Sequence, residues 1–325
     1  MNSVIPFASA MAEGCGQAAA SLNLPHLQRL LTALSPSPID AGNENALSMP
    51  HERMLARSRG FEPADGLIPL AAVEARDSGR PVDNEAWAWI TPCHWHVAMD
   101  HITMSLSSRL QATEQDMQAV FEAVRPYFEQ DGIKLEFQSP LRWLARGEIF
   151  RDLPTASLDR VDGADIDRWI PRARAASALR RLQQETQMLL YTHPVNDKRQ
   201  AAGLLPINSF WISATGALPP SATPLPDPRL SVIATLRDAA LAHDWAAWSQ
   251  AWREVDSTQL AALCTSLDKG HPISLTLCGE RNSQTWSSSP HRGDLRTHLR
   301  KHLGLVGARL GFLAGRRVPA VLQAL

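Results

Sequence analysis

The stretch Thr113–Phe137, TEQDMQAVFEAVRPYFEQDGIKLEF, indicates the fold class, because a helix signal runs directly into a strand signal. Apolar residues at 117, 120, 121, 124 and 128 recur at helical spacing and predict one buried face. Thr113 is suited to cap the helix, acidic residues occupy its first turn, and Gly132 ends it. Ile133–Phe137 then alternates as a half-buried strand does. A helix leading straight into a strand is typical of α/β or α+β layers.

The rest of the chain continues this alternation. Strands are predicted at Val4–Phe7, Trp87–Thr91, Ile207–Ile212 and Ile273–Cys278, and helices at Leu24–Leu34, Pro50–Arg59, Ala164–Tyr191, Leu230–Leu241 and Trp245–Val255. We therefore expect an α/β protein with a layered sheet and flanking helices. Residues 1–90 would form the N-terminal part of the core and 91–216 a middle part with cleft residues. A proline-rich loop, 217–228, would lead into 229–325, whose helices and strand complete the core.

Composition excludes several classes of protein. The chain has 325 residues, a net charge of −1 and no dense cluster of Lys and Arg, so no nucleic-acid partner is expected. No apolar run approaches the length of a membrane span, and the N-terminus lacks the features of a signal peptide. The cysteines at 15, 93, 264 and 278 show no CxxC spacing. We expect reduced thiols and a cytoplasmic location.

A polar cluster occupies Ile90–Met104, ITPCHWHVAMDHITM. Its string from His94 to His101 resembles the His-x-His-x-Asp-His signature of metallo-β-lactamase-type hydrolases. Three residues stand where that signature has one, so His94, His96, Asp100 and His101 are not expected to converge on a metal. The alternative is a hydrogen-bonded corner between a strand and a helix, with Asp100 capping the helix or pairing with His101.

Two other features have structural explanations. The segment His193–Pro206 is predicted to be a loop in which Asn196 and Asp197 suit a turn. Trp245, Trp248 and Trp252 follow helical spacing and indicate a core or an interface. Neither a Gly-x-Ser-x-Gly nucleophile turn nor a phosphate-binding glycine loop occurs.

Residues 193–219, HPVNDKRQAAGLLPINSFWISATGALP, resemble a segment of the archaeal-type cofactor-independent phosphoglycerate mutases. The matching positions are His193, Pro194, Asn196, Arg199, Gly203, Asn208, Gly216 and Pro219. This resemblance implies the α/β fold of the alkaline-phosphatase superfamily. In that family two divalent metals and a serine nucleophile carry out phosphoryl transfer.

A second resemblance is carried by the stretches PHERMLARSRGF, AWAWITPCHWHVAMDHITM, RWLARGE, TASLDRV and QMLLYTHPVND. Through them, over most of residues 4–280, the chain is more similar to a proteobacterial family of RpfE-type regulatory or phosphoglycerate-mutase-like proteins.

The catalytic residues of the mutases have no counterpart at the expected positions. Their first metal-binding Asp follows the first strand, where this chain has Phe7, Ala8 and Ser9. Their Gly-Ser-Asp nucleophile motif and their late Asp-His-Ser/Gly metal motif are absent. Two metals close together need several carboxylates to balance their charge, so we expect an alkaline-phosphatase-like core with a degenerate site.

The sequence thus predicts a non-catalytic, regulatory protein without a cofactor, which binds a protein partner or a small ligand in a vestigial cleft. The candidate cleft residues are His94, His96, Asp100, His101, His193, Asn196, Asp197, Arg199 and Asn208. One alternative is a phosphoglycerate mutase or phosphatase with a rearranged site that uses Mn or Zn. Another is a structural subunit that docks a partner through its Trp-rich helices.

Overall fold

The computed structural model describes residues 1–82, 84–171, 176–219, 230–288 and 318–325. The strands are β1 (Asn2–Ile5), β2 (Ser35–Pro36), β3 (Ala86–Cys93), β4 (Trp95–Val97), β5 (Ile102–Met104), β6 (Lys134–Ser139), β7 (Arg142–Arg146), β8 (Ser209–Ala217), β9 (Leu230–Val232), β10 (Ser274–Cys278) and β11 (Ser283–Ser287). The helices are α1 (Glu13–Ala20), α2 (Pro25–Ala33), α3 (Pro50–Ser58), α4 (Leu70–Asp77), α5 (Glu114–Gln130), α6 (Leu158–Val161), α7 (Ser177–Tyr191), α8 (Pro194–Ala201), α9 (Arg237–Leu241), α10 (Trp245–Val255), α11 (Ala261–Asp268) and α12 (Val318–Gln323). Within these residues no helix is both long and apolar enough to cross a bilayer.

The chain divides into two compact units. Unit 1 comprises Met1–Glu44 and Arg229–Leu325, and unit 2 comprises Asn45–Pro228. The predicted segment 1–90 therefore contributes to both units, whereas segment 91–216 lies within unit 2. The predicted proline-rich loop 217–228 falls, from residue 220 onward, outside the described residues.

Unit 1 contains a five-stranded sheet in the order β2-β11-β10-β1-β9. The central strand β1 is parallel to both neighbours, with Val4 opposite Thr276 on β10 and Val232 on β9. Parallel neighbours need long connections. The connection from β1 to β9 contains all of unit 2, and α9, α10 and α11 lie between β9 and β10. Val4 and Ile5 are buried, as expected for a strand inside a parallel sheet.

The tryptophan stripe on α10 packs inside unit 1. Trp248 and Trp252 are fully buried and their rings meet edge to face, with centroids 6.2 Å apart. The Trp248 indole Nε1 donates to the carbonyl of Phe7 at 2.9 Å. These two side chains therefore fill the core of unit 1, whereas Trp245 at the start of the stripe is half-buried.

Unit 2 contains a four-stranded antiparallel sheet in the order β6-β7-β3-β8. Helix α5 covers it as predicted: the Thr113 hydroxyl accepts from Asp116 N at 3.2 Å, and the five apolar positions of the predicted face are all buried. Phe121 meets Trp143 of β7 edge to face, with centroids 5.3 Å apart. Helix α7 contributes Leu179 and Leu182 to the same core. Sheets with flanking helices confirm the predicted layered α/β class.

The predicted helix Ala164–Tyr191 is wrong over its first part. Ala164–Ile166 runs beside β5 instead, because Met104 N donates to Ala164 O at 3.0 Å and Ile166 N to Ile102 O at 2.8 Å. Residues 172–175 lie outside the described residues, and α7 begins at Ser177.

Two further predictions need correction. The predicted loop 193–206 contains α8, whose first residue is Pro194; the fixed φ of proline suits that position. The predicted helix Leu230–Leu241 starts with β9, because Leu230–Val232 pairs with β1, and only Arg237–Leu241 is helical.

Candidate functional site

The cluster His94–His101 lies on a β-hairpin formed by β4 and β5, and not at the predicted corner between a strand and a helix. His96 is opposite Thr103, and Ala98 N donates to His101 O at 3.0 Å to close the turn. No Gly or Asn-Gly marks this turn in the sequence, which explains the error.

The two faces of the hairpin differ in chemistry. Trp95, Ile102 and Met104 point into an apolar cluster that includes Cys93, Trp169 and Trp211. Because side chains alternate along a strand and opposite residues share a face, the other face carries His94, His96 and His101. The hairpin therefore has a buried apolar face and a polar face.

The imidazoles on the polar face have separate partners. His94 Nδ1 lies 2.9 Å from the carbonyl oxygen of Pro206, which can only accept, so Nδ1 carries the hydrogen. Burial lowers the pKa of His94; the bond to Pro206 opposes this effect and repulsion from His96 adds to it. The predicted pairing of Asp100 with His101 is present, at 2.7 Å between Oδ1 and Nδ1, and this bond lowers the pKa of Asp100.

The polar face does not assemble a metal site. His101 lies beside Ala98, which is four residues along the hairpin from His94. At a rise of about 3.4 Å per residue, the two histidines are about 14 Å apart along the strand direction. Metal–imidazole bonds are only about 2 Å long, so these two rings cannot share one ion. Within the described ranges, no group of three or more His, Cys, Asp and Glu side chains could hold a metal ion.

Hydrogen bonds hold the hairpin along both edges. On the β4 edge, the Asn208 side chain accepts from Trp95 N at 2.7 Å and donates to Trp95 O at 2.8 Å, as a neighbouring strand would. On the β5 edge, Ala164 and Ile166 supply the backbone bonds described above. Beyond β5, the Asp162 carboxylate accepts from Ser107 N at 2.7 Å. The base of the hairpin is therefore fixed.

The tip of the hairpin is exposed. Val97 is 63% exposed and Met99 is fully exposed, and both are large apolar side chains. His96, Asp100 and His101 are exposed as well. The tip therefore presents apolar and polar groups to solvent on an anchored backbone.

Asn196 is a buried structural residue. Its Nδ2 donates to the carbonyls of Leu190 and Ile207, at 2.8 and 2.7 Å, and its Oδ1 accepts from Ile207 N at 2.8 Å. The side chain thus joins the end of α7 to the segment before β8, and its hydrogen-bonding capacity is used on the backbone.

Arg199 is also buried and bound to the backbone. Its Nε donates to Leu205 O at 2.8 Å, its Nη2 donates to Leu110 O, and its Nη1 lies 3.5 Å from Asp116 Oδ2. A buried guanidinium bonded in this way connects α8 with the segment before α5.

The remaining two predicted residues lie at the start of α8. His193 caps this helix, with Nδ1 accepting from Val195 N at 3.3 Å. Asp197 is an exposed residue of the first turn, where the helix dipole favours a negative charge.

The segment 206–208 connects several of the predicted residues. Pro206, Ile207 and Asn208 contact His94, Asn196 and Trp95 respectively. His94, Asn196, Arg199 and Asn208 hold backbone segments together, while His96, Asp100 and His101 lie on the exposed hairpin.

A second polar cluster, which sequence reasoning missed, surrounds the start of α3. Glu52 accepts from Met49 N at 2.9 Å and from the Ser157 hydroxyl at 2.7 Å, and His51 Nε2 lies 3.3 Å from Asp159 Oδ2. Burial raises the pKa of Glu52, and the nearby Asp159 adds to this; His51 and the two hydrogen bonds oppose it. In the sequence, the residues of this cluster lie in two separate polar stretches, PHERMLARSRGF and TASLDRV.

In unit 1, the residues after β1 are packed into the interior. Phe7 is buried with φ of 55°, a left-handed conformation that is unusual for a bulky side chain. Ala8 is buried and donates from its N–H to Cys278 O at 2.8 Å. The Cys15 sulfur accepts from Ala10 N at 3.2 Å, and burial raises the pKa of this thiol.

The sequence matches no protein-family model, and the comparison with curated proteins gives no match. Among solved structures, the chain is similar to a cofactor-independent phosphoglycerate mutase from Thermoplasma acidophilum at 12% identity and a TM-score of 0.37, with 89% of this chain and 90% of that chain covered. It is also similar to the PH0037 protein from Pyrococcus horikoshii at 11% identity and a TM-score of 0.47, with 90% and 88% covered.

Proposed function

We propose that this protein is a non-catalytic, regulatory protein that binds a protein partner through the tip of the hairpin β4–β5. The observation that carries the proposal is the exposure of Val97 and Met99 on a backbone that is fixed at its base. Covering apolar surface gains about 25 cal/mol per Å². Because the hairpin is already ordered, little of that gain is lost to ordering on binding.

In this proposal the partner binds an exposed surface and not a vestigial cleft. Asn196 and Arg199 bind backbone groups inside unit 2 and are not available to a ligand. His96 and His101 are exposed beside the apolar tip, where they can form the polar rim of an interface.

The end of β1 supports the non-catalytic part of the proposal. Ligands of open α/β sheets bind at the carboxyl ends of the parallel strands. At the end of β1, the buried Phe7 and Ala8 occupy the positions where the mutases resembled by this sequence carry their first metal ligand.

The proposed lineage is an alkaline-phosphatase-like core of the RpfE-type, phosphoglycerate-mutase-like family, as the sequence resemblance implies. The proposed location is the cytoplasm, where reduced thiols persist. All four cysteines are buried, and none of them is in a disulfide.

Site-specific photo-cross-linking in the native cells tests the proposal. A photoreactive residue is placed at position 99 of the full chain and, as a matched control, at position 188, where Met188 on α7 is 77% exposed. We expect one discrete cross-linked product from position 99 and none from position 188. Adding Val97→Asp should lower the yield about tenfold, since losing one apolar contact at the centre of an interface costs about 1–2 kcal/mol.

Two outcomes would overturn the proposal. One is a product from position 99 whose yield Val97→Asp leaves unchanged, because the tip would then not be the contact. The other is phosphoglycerate mutase or phosphatase activity in the purified protein that His94→Ala abolishes, because the protein would then be an enzyme.

A further inference from the structure

The segment 318–325, VPAVLQAL, which contains α12, has the form of a helical peptide lying in a groove of unit 1. Four of its apolar side chains are buried: Val318, Val321, Leu322 and Leu325. The residues between them are exposed or half-buried. The buried positions have the spacing i, i+3, i+4 and i+7, which places them on one face of a helix. Proteins that bind a helix in a groove recognise anchors at this spacing.

The walls of this groove come from α1, α2 and the turn 279–282 between β10 and β11. Helix α12 packs against both α1 and α2. The buried positions of α1 are Cys15 and Ala19, whose side chains are short. In the turn, Gly279 lies against Leu325: a Cβ on Gly279 would be only 2.6 Å from the Leu325 carbonyl oxygen. The absence of a side chain at position 279 therefore makes room for the segment.

Asn282, at the end of the same turn, binds the backbone of the segment. Its N–H donates to Leu325 O at 2.8 Å, and its Nδ2 donates to Ala324 O at 3.0 Å. Carbonyls at the carboxyl end of a helix lack partners within that helix, so they need such donors. Asn282 Oδ1 accepts from Gly42 N at 3.0 Å, which fixes the orientation of the amide. The groove therefore contacts both the apolar face of the segment and its carbonyls.

The turn 279–282 lies at the carboxyl edge of the parallel strands of unit 1. Strands β1 and β10 are parallel, and Gly279 directly follows Cys278, the last residue of β10. Open α/β sheets bind their ligands at this edge. The end of the segment 318–325 therefore lies where sheets of this kind bind a ligand.

We propose that this groove is a binding site for a short apolar helix of a partner protein, and that the segment 318–325 is its intramolecular competitor. The partner helix has Val or Leu at positions i, i+3, i+4 and i+7, and its carboxyl end offers two carbonyls to Asn282. Helix α12 has six residues, too few for a stable isolated helix, so its structure depends on the groove. A partner helix of the same chemistry can replace every contact that the segment makes. The site lies in unit 1 and does not involve the hairpin tip.

Peptide binding to the full chain tests the proposal. The probe is the synthetic peptide VPAVLQAL with a fluorophore at its amino end and an amide at its carboxyl end, and fluorescence anisotropy reports its binding. In Leu322→Asp the charged side chain keeps the segment out of the groove, so we expect this variant to bind the probe saturably. The wild-type chain should bind it at least about tenfold more weakly, because only the fraction with a released segment is competent.

Gly279→Ala identifies the groove as the place of binding. Added to Leu322→Asp, it should weaken probe binding at least about tenfold, since the new Cβ meets the position of the Leu325 carbonyl. The matched control is Gly16→Ala on α1, where a Cβ meets no atom within 4 Å, and it should leave binding unchanged. A probe that carries Gln323→Ala, a change at an exposed position, should also bind as the original does.

Amide hydrogen exchange in the wild-type chain is a second test that needs no variant. Residues 321–325 should exchange faster than α10 of the same unit, because release of the segment leaves the rest of unit 1 folded. Equal protection of the two would overturn the proposal, since the segment would then open only with the whole unit.

Two results of the binding experiment would also overturn it. One is a Leu322→Asp chain that retains the near-UV circular dichroism of its buried tryptophans and shows no saturation below about 1 mM probe. The other is binding that Gly279→Ala leaves unchanged, because the probe would then occupy a different surface. Neither result affects the cross-linking expected at position 99.

Discussion

Two regions of unit 2 carry similar polar residues and use them in opposite ways. The segment 193–208 turns Asn196, Arg199 and Asn208 toward backbone groups. The hairpin tip, 96–101, turns His96, Asp100 and His101 toward solvent. The difference lies in the backbone: the first segment passes next to peptide groups that no sheet or helix satisfies, and buried peptide groups need partners. A polar motif in a sequence is thus as good a sign of an unpaired stretch of backbone as of a functional site.

The largest expected effect is that of Asn196→Ala. It removes three hydrogen bonds and leaves the buried N–H and C=O of Ile207 unsatisfied, while Leu190 O keeps its bond from His193 N. We expect unfolding to become easier by about 3–5 kcal/mol, measured by chemical denaturation. The matched control is Asp197→Ala, which alters the exposed residue next to it and should change stability by about 0.5 kcal/mol or less. Equal losses from the two variants would remove the distinction between the regions.

An intermediate effect is expected for Asn208→Ala, because Asn208 is half-buried and connects the two regions through Trp95. The free energy of unfolding should fall by about 1–3 kcal/mol, and exchange of the Trp95 amide hydrogen should accelerate. Asn208→Asp keeps the acceptor for Trp95 N and should lose less protection at that amide. If the Trp95 amide stays protected in Asn208→Ala, Asn208 does not hold the hairpin edge.

The smallest effect on stability should come from Met99→Ser. The side chain is fully exposed, so the free energy of unfolding should change by about 0.5 kcal/mol or less in the same denaturation experiment. The same variant should lose partner binding if the tip is the contact surface. A loss of stability near that of Asn208→Ala would show that Met99 packs within the chain, and the tip would then resemble the segment 193–208.

Much of the fold could be predicted because local signals agreed with the final packing. For α5, the Thr113 cap, the apolar spacing and Gly132 all indicate the same helix. For α10, the helix predicted from the tryptophan spacing has the same first and last residues as the observed helix. Local signals failed where pairing with distant residues decides the structure. Ala164–Ile166 has no strand pattern of its own and is extended because it pairs with β5.

The site was predictable in part. The sequence identified the polar residues and the pairing of Asp100 with His101, which depends on adjacent residues. It could not reveal that Asn196 and Arg199 are buried. Both side chains donate to backbone carbonyls, and the pattern of side chains in a sequence does not indicate which carbonyls need a partner. These carbonyls belong to Leu190, Ile207, Leu205 and Leu110. Glu52 was missed for a related reason, since Ser157 lies more than a hundred residues away in sequence.

The pairing of β1 with β10 has a consequence for synthesis of the chain. Asn2 pairs with Ser274, and β9, the other neighbour of β1, begins at Leu230, so β1 leaves the ribosome long before either partner exists. Every strand of the antiparallel sheet, by contrast, lies between Ala86 and Ala217. Domains fold as they emerge during translation. The middle of this chain can therefore form its sheet before β9 and β10 have been made, and the sheet of unit 1 can form only after β10 has been synthesised.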